Sequence, residues 1–117
     1  MHYPYLGLGG GVPVVGIADE LKLPVKEGVL VQKVIPGGPA ARAGLRGGTS
    51  EQVVGGQGII VGGDIITAFN GTPVKDYEDL IATLIKTSKV GDTATLSVVR
   101  DGEPIELQVK LAERPAQ

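Results

Sequence analysis

Apolar and polar positions change period several times along the chain, and each change marks an element. Between Asp76 and Thr87, apolar side chains fall at Tyr77, Leu80, Ile81, Leu84 and Ile85. That spacing is one face of an amphipathic helix, with Glu78, Asp79, Thr83 and Lys86 outside it. The acids stand in its first turn and Lys86 in its last, as the helix macrodipole favours. From Thr93 to Arg100 and from Glu103 to Lys110 apolar and polar residues alternate around Asp101-Gly102, which predicts a β-hairpin. The β-branched run Val29 to Ile35, between Gly28 and Pro36-Gly37-Gly38-Pro39, reads as a buried strand and a turn. A short helix follows, with Pro39 at its start and Gly44 at its end. Asp64 to Phe69 is a further strand, closed by the tight-turn pair Asn70-Gly71.

Two regions are less regular. Near the start, Tyr5-Leu6-Gly7-Leu8 reads as a short strand and Val14 to Leu23 as a short helix before Pro24. Between Arg46 and Gly62, the apolar stretches Val53-Val54 and Ile59-Ile60-Val61 flank the cluster Gly55-Gly56-Gln57-Gly58 and predict a hairpin excursion. The sum is five or six short strands, one long helix and one or two short ones. Such a sheet closes part-way into a barrel or sandwich, with helices over its open edges.

Composition narrows the function. The chain has 117 residues, enough for one domain, and a net charge of −2, which offers no basic footprint for nucleic acid or an anionic membrane. No apolar stretch reaches the ~20 residues needed to cross a bilayer. There is no Cys and one His, His2, so thiolate chemistry is excluded and a Ser-His-Asp triad would have to recruit a terminal residue. No cofactor or metal is called for. The 19 glycines and four aromatics describe a Gly-punctuated aliphatic domain that is not an enzyme on its own. Both ends read as cut from a longer chain.

The start Gly7-Leu8-Gly9-Gly10-Gly11-Val12 lacks the third Gly of the dinucleotide pattern and the Lys-Ser/Thr pair of the phosphate loop. Two readings of it stay open: a flexible turn, or a cradle of successive backbone amides suited to a carboxylate. The acidic groups Asp19-Glu20 and Asp76-x-Glu78-Asp79 have no His or Cys ligand nearby, and the second sits where helix-start acids sit. Ser50, Ser88 and Ser97 have no neighbouring general base.

Taken in order, Tyr5-Leu6-Gly7-Leu8, Gly28-Val29-Leu30-Val31, Pro36 to Leu45, Gly63-Asp64-Ile65-Ile66, Asn70-Gly71-x-Pro73-Val74, the helix, Gly91-Asp92-Thr93 and Val98 to Gly102 resemble a PDZ domain. The string is similar to the bacterial-type, permuted PDZ domain of the HtrA/DegP serine proteases, from Tyr5 to Arg114, with residues 46–62 as an insertion. The resemblance implies a mainly β, PDZ-like fold over 5–114, with 1–4 and 115–117 as extensions.

It also implies a site. An extended peptide would add as a strand to a sheet edge, its C-terminal carboxylate held by backbone amides of a Gly-containing loop. The residues matching that loop and strand are Tyr5, Leu6, Gly7, Leu8, Gly9 and Gly10; those matching the helix face and pocket are Tyr77, Leu80, Ile81 and Leu84. Leu80 and Ile85 are expected to turn more towards the core. Three glycines at 9–11 cost entropy and leave the pairing strand few side-chain contacts. The partners implied are peptide or protein C-termini with apolar last residues and the protease domain of the parent, which the module would regulate or supply with tethered substrates. Nucleic acid and direct membrane insertion are not. The compartment implied is extracytoplasmic, periplasm or cell envelope. Open alternatives are an interdomain module whose groove is plugged by the insertion or by Val14 to Leu23, and a PDZ domain of a site-2 or tail-specific protease.

Overall fold

The computed structural model describes residues 4–15, 17, 23, 25–54, 56–100 and 102–113. In chain order the elements are β1 (Pro4–Tyr5), β2 (Gly11–Pro13), β3 (Val29–Val31), α1 (Pro39–Ala43), β4 (Ser50–Val54), β5 (Gln57–Val61), β6 (Ile65–Phe69), β7 (Thr72–Pro73), α2 (Tyr77–Thr87), β8 (Thr93–Arg100), β9 (Glu103–Lys110) and β10 (Ala112–Glu113). The main sheet runs β2-β3-β6-β8-β9, with β7 attached to β6, and it is not closed into a barrel. Its pairs are antiparallel. β1 pairs with β10, and β4 with β5.

The expected hairpins, the turn and both helices are present for local reasons. Asn70 and Gly71 both take positive φ, 50° and 84°, which a tight two-residue connection requires. Asp76 caps α2 by accepting from the Asp79 N–H at 2.7 Å, so this acid serves the helix start. Gly44 ends α1 in the left-handed region, where its N–H and that of Leu45 bond back to Ala41 and Ala40. The expected strand from Tyr5 to Leu8 is shorter: Tyr5 closes β1, and Leu8 meets Val34 in an isolated bridge. The helix expected over Val14 to Leu23 lies mostly outside the described residues.

All three residues of β3 are buried, because both faces of the sheet are covered. On one face Val29, Val31, Ile66, Leu96 and Val98 pack with Phe69 and with Leu80 and Leu84 of α2. On the other, Leu30, Ile65 and Val99 pack with Val14 and with Val54 and Ile59 of the β4–β5 hairpin. The insertion is therefore a lid on the second face. Val54 and Ile59 each contribute roughly 1.5–3 kcal/mol of burial there, as an upper estimate. The Gln32 side chain pins it: its amide donates to the Ile60 carbonyl and accepts from the Ile60 N–H, both at 2.8 Å.

A second polar fixture ties the ends together. Asp64, 1% exposed, accepts from Arg100 Nε at 2.8 Å and Nη2 at 2.6 Å, and from the Arg46 N–H at 3.0 Å. Arg100 Nη2 also donates to the Gly44 carbonyl at 2.7 Å. The bidentate pair joins β6 and β8 to the end of α1 and the start of the insertion.

Candidate functional site

The free edge of the main sheet nearest α2 is β2, with the loop that precedes it. Hydrogen bonds fix which backbone groups that edge offers. A trans peptide points its N–H opposite to the preceding carbonyl, so each bond made to β3 locates a group that faces away from it. The Gly7 carbonyl accepts from the Ile35 N–H at 2.8 Å, which turns the Leu8 N–H outward. The Gly9 N–H donates to Lys33 at 2.8 Å, which turns the Leu8 carbonyl outward. The Gly10 carbonyl accepts from Gln32 at 3.2 Å, which turns the Gly11 N–H outward. Val31, opposite Gly11, spends its own N–H on the Asp64 carbonyl at 2.9 Å, on the β6 side.

Gly9 and Gly10 thus both turn ladder groups towards β3, and the pleat skips a step. The outward positions are Leu8 and Gly11, in place of the regular Leu8, Gly10, Val12. Glycine makes this possible. Gly10 takes φ 138°, and a Cβ on Gly9 would stand 2.9 Å from Lys33 Cβ. A Cβ on Gly11 would collide with Val29 Cγ1 and lie 3.2 Å from Tyr77 Cδ1. The triplet that read as a loss of contacts is a close approach of three separate neighbours.

The loop before β2 presents amides in succession. The carbonyls of Leu6 and Gly7 are taken by the N–H groups of Ala40 and Ile35, each at 2.8 Å. The Leu6, Gly7 and Leu8 amides donate to no backbone carbonyl among the described residues. Gly7 holds the bend at φ 85°, a conformation that disfavours any other residue. Of the two readings of the Gly-rich start, this geometry fits the amide cradle.

Side chains expected at the site divide into two groups. Leu6, Leu8, Leu80 and Leu84 are buried in one cluster, with Tyr77 and Ile81 packed against it half-buried. Leu80 faces the core, as expected. Ile85 does not: it is 45% exposed. At roughly 100° per residue, each four-residue step turns about 40° further round the helix, so Ile85 stands about 140° from Leu80. Ile85 therefore ends on the outer side of the helix's apolar face. Tyr5 is also set apart. Its ring, close to Gly7, helps to line a cavity of about 430 Å³ with Pro39, Arg42 and Ala43 of α1 and Lys110 to Ala112, on the side of the loop facing α1. Among the described residues, the insertion adds no side chain to the cluster beneath α2, so its buried residues do not plug the β2–α2 cleft.

The sequence placed Gly11 in the pairing strand but not among the named site residues, and it turned Ile85 towards the core, where the structure leaves it exposed. The helical row gave a signal for Ile85; nothing periodic marks Gly11, since its position depends on the pleat reversal before it.

Comparison with known proteins bears on the same region. A family model described as the PDZ domain matches residues 11–111. The chain is 32% identical over 106 residues to the periplasmic pH-dependent serine endoprotease DegQ of Escherichia coli, covering 91% of this chain and 20% of that protein. It is 41% identical over 88 residues to the chloroplastic Protease Do-like 1 of Arabidopsis thaliana, covering 75% and 19%. The chain thus spans about a fifth of the length of these curated relatives. Among solved structures, the HtrA-type protease AlgW with decapeptide superposes with a TM-score of 0.72 at 22% identity, over 99% of this chain and 31% of that one. The HtrA3 PDZ domain bound to a phage-derived ligand gives 0.67 at 23%, over 97% and 89%. Both share the fold.

Proposed function

This chain belongs to the PDZ domain family, of the kind found in HtrA-type serine proteases, and on that footing we propose that it captures C-terminal or extended hydrophobic peptide segments by β-strand addition. One observation carries the reading: a strand edge that no other described residue pairs with, its Leu8 and Gly11 groups facing outward, runs beside the half-buried row Tyr77–Ile81. Two structures of the same fold hold peptides, a decapeptide and a phage-derived ligand.

In this reading the amides of Leu6, Gly7 and Leu8 receive the terminal carboxylate, each bond to the charged group being worth about 1.5–3 kcal/mol. The Leu8 carbonyl accepts from the last residue's N–H, and Gly11 pairs further back along the ligand. The last side chain rests on Leu6, Leu8, Ile81 and Leu84, an all-aliphatic surface that favours a small or medium apolar residue. Tyr77, standing over Gly11, restricts the side chain that passes there. Affinity falls in the ~μM range, near −8 kcal/mol.

In this reading the domain's own part is binding: with no Cys a thiolate nucleophile is excluded, and a Ser-His-Asp triad would have to recruit His2. Within a longer HtrA-type parent it regulates the protease domain or tethers substrates for it, in protein quality control. An extracytoplasmic compartment is supported by the periplasmic names of its bacterial relatives.

Fluorescence anisotropy with labelled peptides ending in Val, Ile, Leu or Ala, each with a free and an amidated C-terminus, tests the proposal. Free peptides should bind at least tenfold more tightly than their amides. Equal binding of the two forms removes the carboxylate cradle.

A further inference from the structure

The outward groups of β2 run out early. Val12 lies opposite Leu30 and Pro13 opposite Val29, and the Val14 N–H donates to the Gly28 carbonyl at 2.9 Å. By the alternation that placed Leu8 and Gly11, the next outward position is residue 13. Its carbonyl faces the open edge, but proline has no N–H to offer. Beyond it the chain leaves the edge: β2 ends at Pro13, and the Ile17 N–H closes a turn onto the Val14 carbonyl at 3.0 Å. The donors presented to an incoming strand are therefore the loop amides, Leu8 among them, and Gly11.

From this we infer that Pro13 is a length-limiting residue of the docking edge: the pairing strand reads about the last three or four residues of a ligand and gains little from residues further back. The inference rests on the peptide-binding reading above and adds a specificity rule to it. A ligand strand antiparallel to β2, with its C-terminus at Leu8, sets its third-from-last residue against Gly11 and its fifth-from-last against residue 13. At that second register the ligand carbonyl meets a pyrrolidine ring where the ladder would otherwise supply a donor. The same device blunts the edge in the free domain, since a proline on an exposed strand prevents edge-to-edge pairing with a second copy.

The test uses acetylated peptides of three and seven residues that share one valine-ended C-terminus, titrated into the wild-type chain and into Pro13→Ala. Wild type should bind the two lengths within about twofold. Pro13→Ala regains an N–H at the outward position and should bind the seven-residue peptide about three- to tenfold more tightly than the three-residue one, the effect of one added hydrogen bond. Should the variant loosen β2 and lower all affinities, the amide proton that Pro13→Ala creates at position 13 gives a second readout. It should shift on adding the long peptide and not the short one. A length gain in wild type equal to that in the variant, or a position-13 amide indifferent to the long peptide, overturns the role of Pro13 and leaves the binding reading standing. If neither peptide binds either protein, the binding reading falls and this inference with it; a seven-residue peptide that binds wild type while the three-residue one does not overturns this inference alone.

Discussion

Tyr77 stands against Gly11, so close that a methyl group added to the glycine would lie 3.2 Å from the ring's Cδ1 while colliding with Val29 on its other side. The contact joins the first turn of α2 to β2, and in the proposed binding mode it would set the width of the cleft where a ligand's third-from-last residue passes. It also explains why this position is glycine although its φ is not in the left-handed region.

Gly11→Ala should therefore destabilise the domain by about 1–3 kcal/mol, the usual cost of overfilling a packed site. Urea denaturation measures it. A variant as stable as wild type would mean that Val29 and Tyr77 relax freely and that the close approach is not a constraint.

The buried Asp64–Arg100 pair should behave differently from a surface ion pair. Asp64→Ala leaves the Arg100 guanidinium, whose side chain is 22% exposed, without its bidentate partner, and the Arg46 amide without its acceptor. A loss of about 3–5 kcal/mol is expected. Arg100→Met alone should also destabilise, while the double variant should lose clearly less than the sum of the two. Additive losses in the double-mutant cycle would show that the two side chains act independently.

How far the sequence reached depends on the kind of signal each element leaves. α2 and the β8–β9 hairpin were readable from period and turn chemistry alone, because their order is local: a helical stripe from Tyr77 to Leu84, and apolar–polar alternation around Asp101-Gly102. The β4–β5 hairpin was readable as a hairpin for the same reason. Its destination was not, since only the three-dimensional arrangement puts Val54 and Ile59 over Leu30, Ile65 and Val99. The continuous burial of Val29, Leu30 and Val31 follows from that lid. β2 left no period to read: Gly11 has no side chain, and its strand character comes from pairing with β3. The amide loop was legible as a motif at Leu6-Gly7-Leu8, whereas the groups facing the open edge follow from long-range hydrogen bonds to Lys33, Gln32 and Ile35. Those bonds pass the edge position from Gly10 to Gly11, which a regular pleat would not do.

Pairing of a ligand with this edge is read out residue by residue by amide chemical-shift mapping of the full chain during titration with a free-carboxylate, valine-ended peptide. The largest shifts are expected at the Leu6, Gly7, Leu8 and Gly11 amides, with the Ile81 and Leu84 methyl groups moving alongside. Shifts gathered instead at Arg42, Ala43, Lys110 and Ala112, around the cavity beside α1, with the Leu8 and Gly11 amides unmoved, would contradict that pairing.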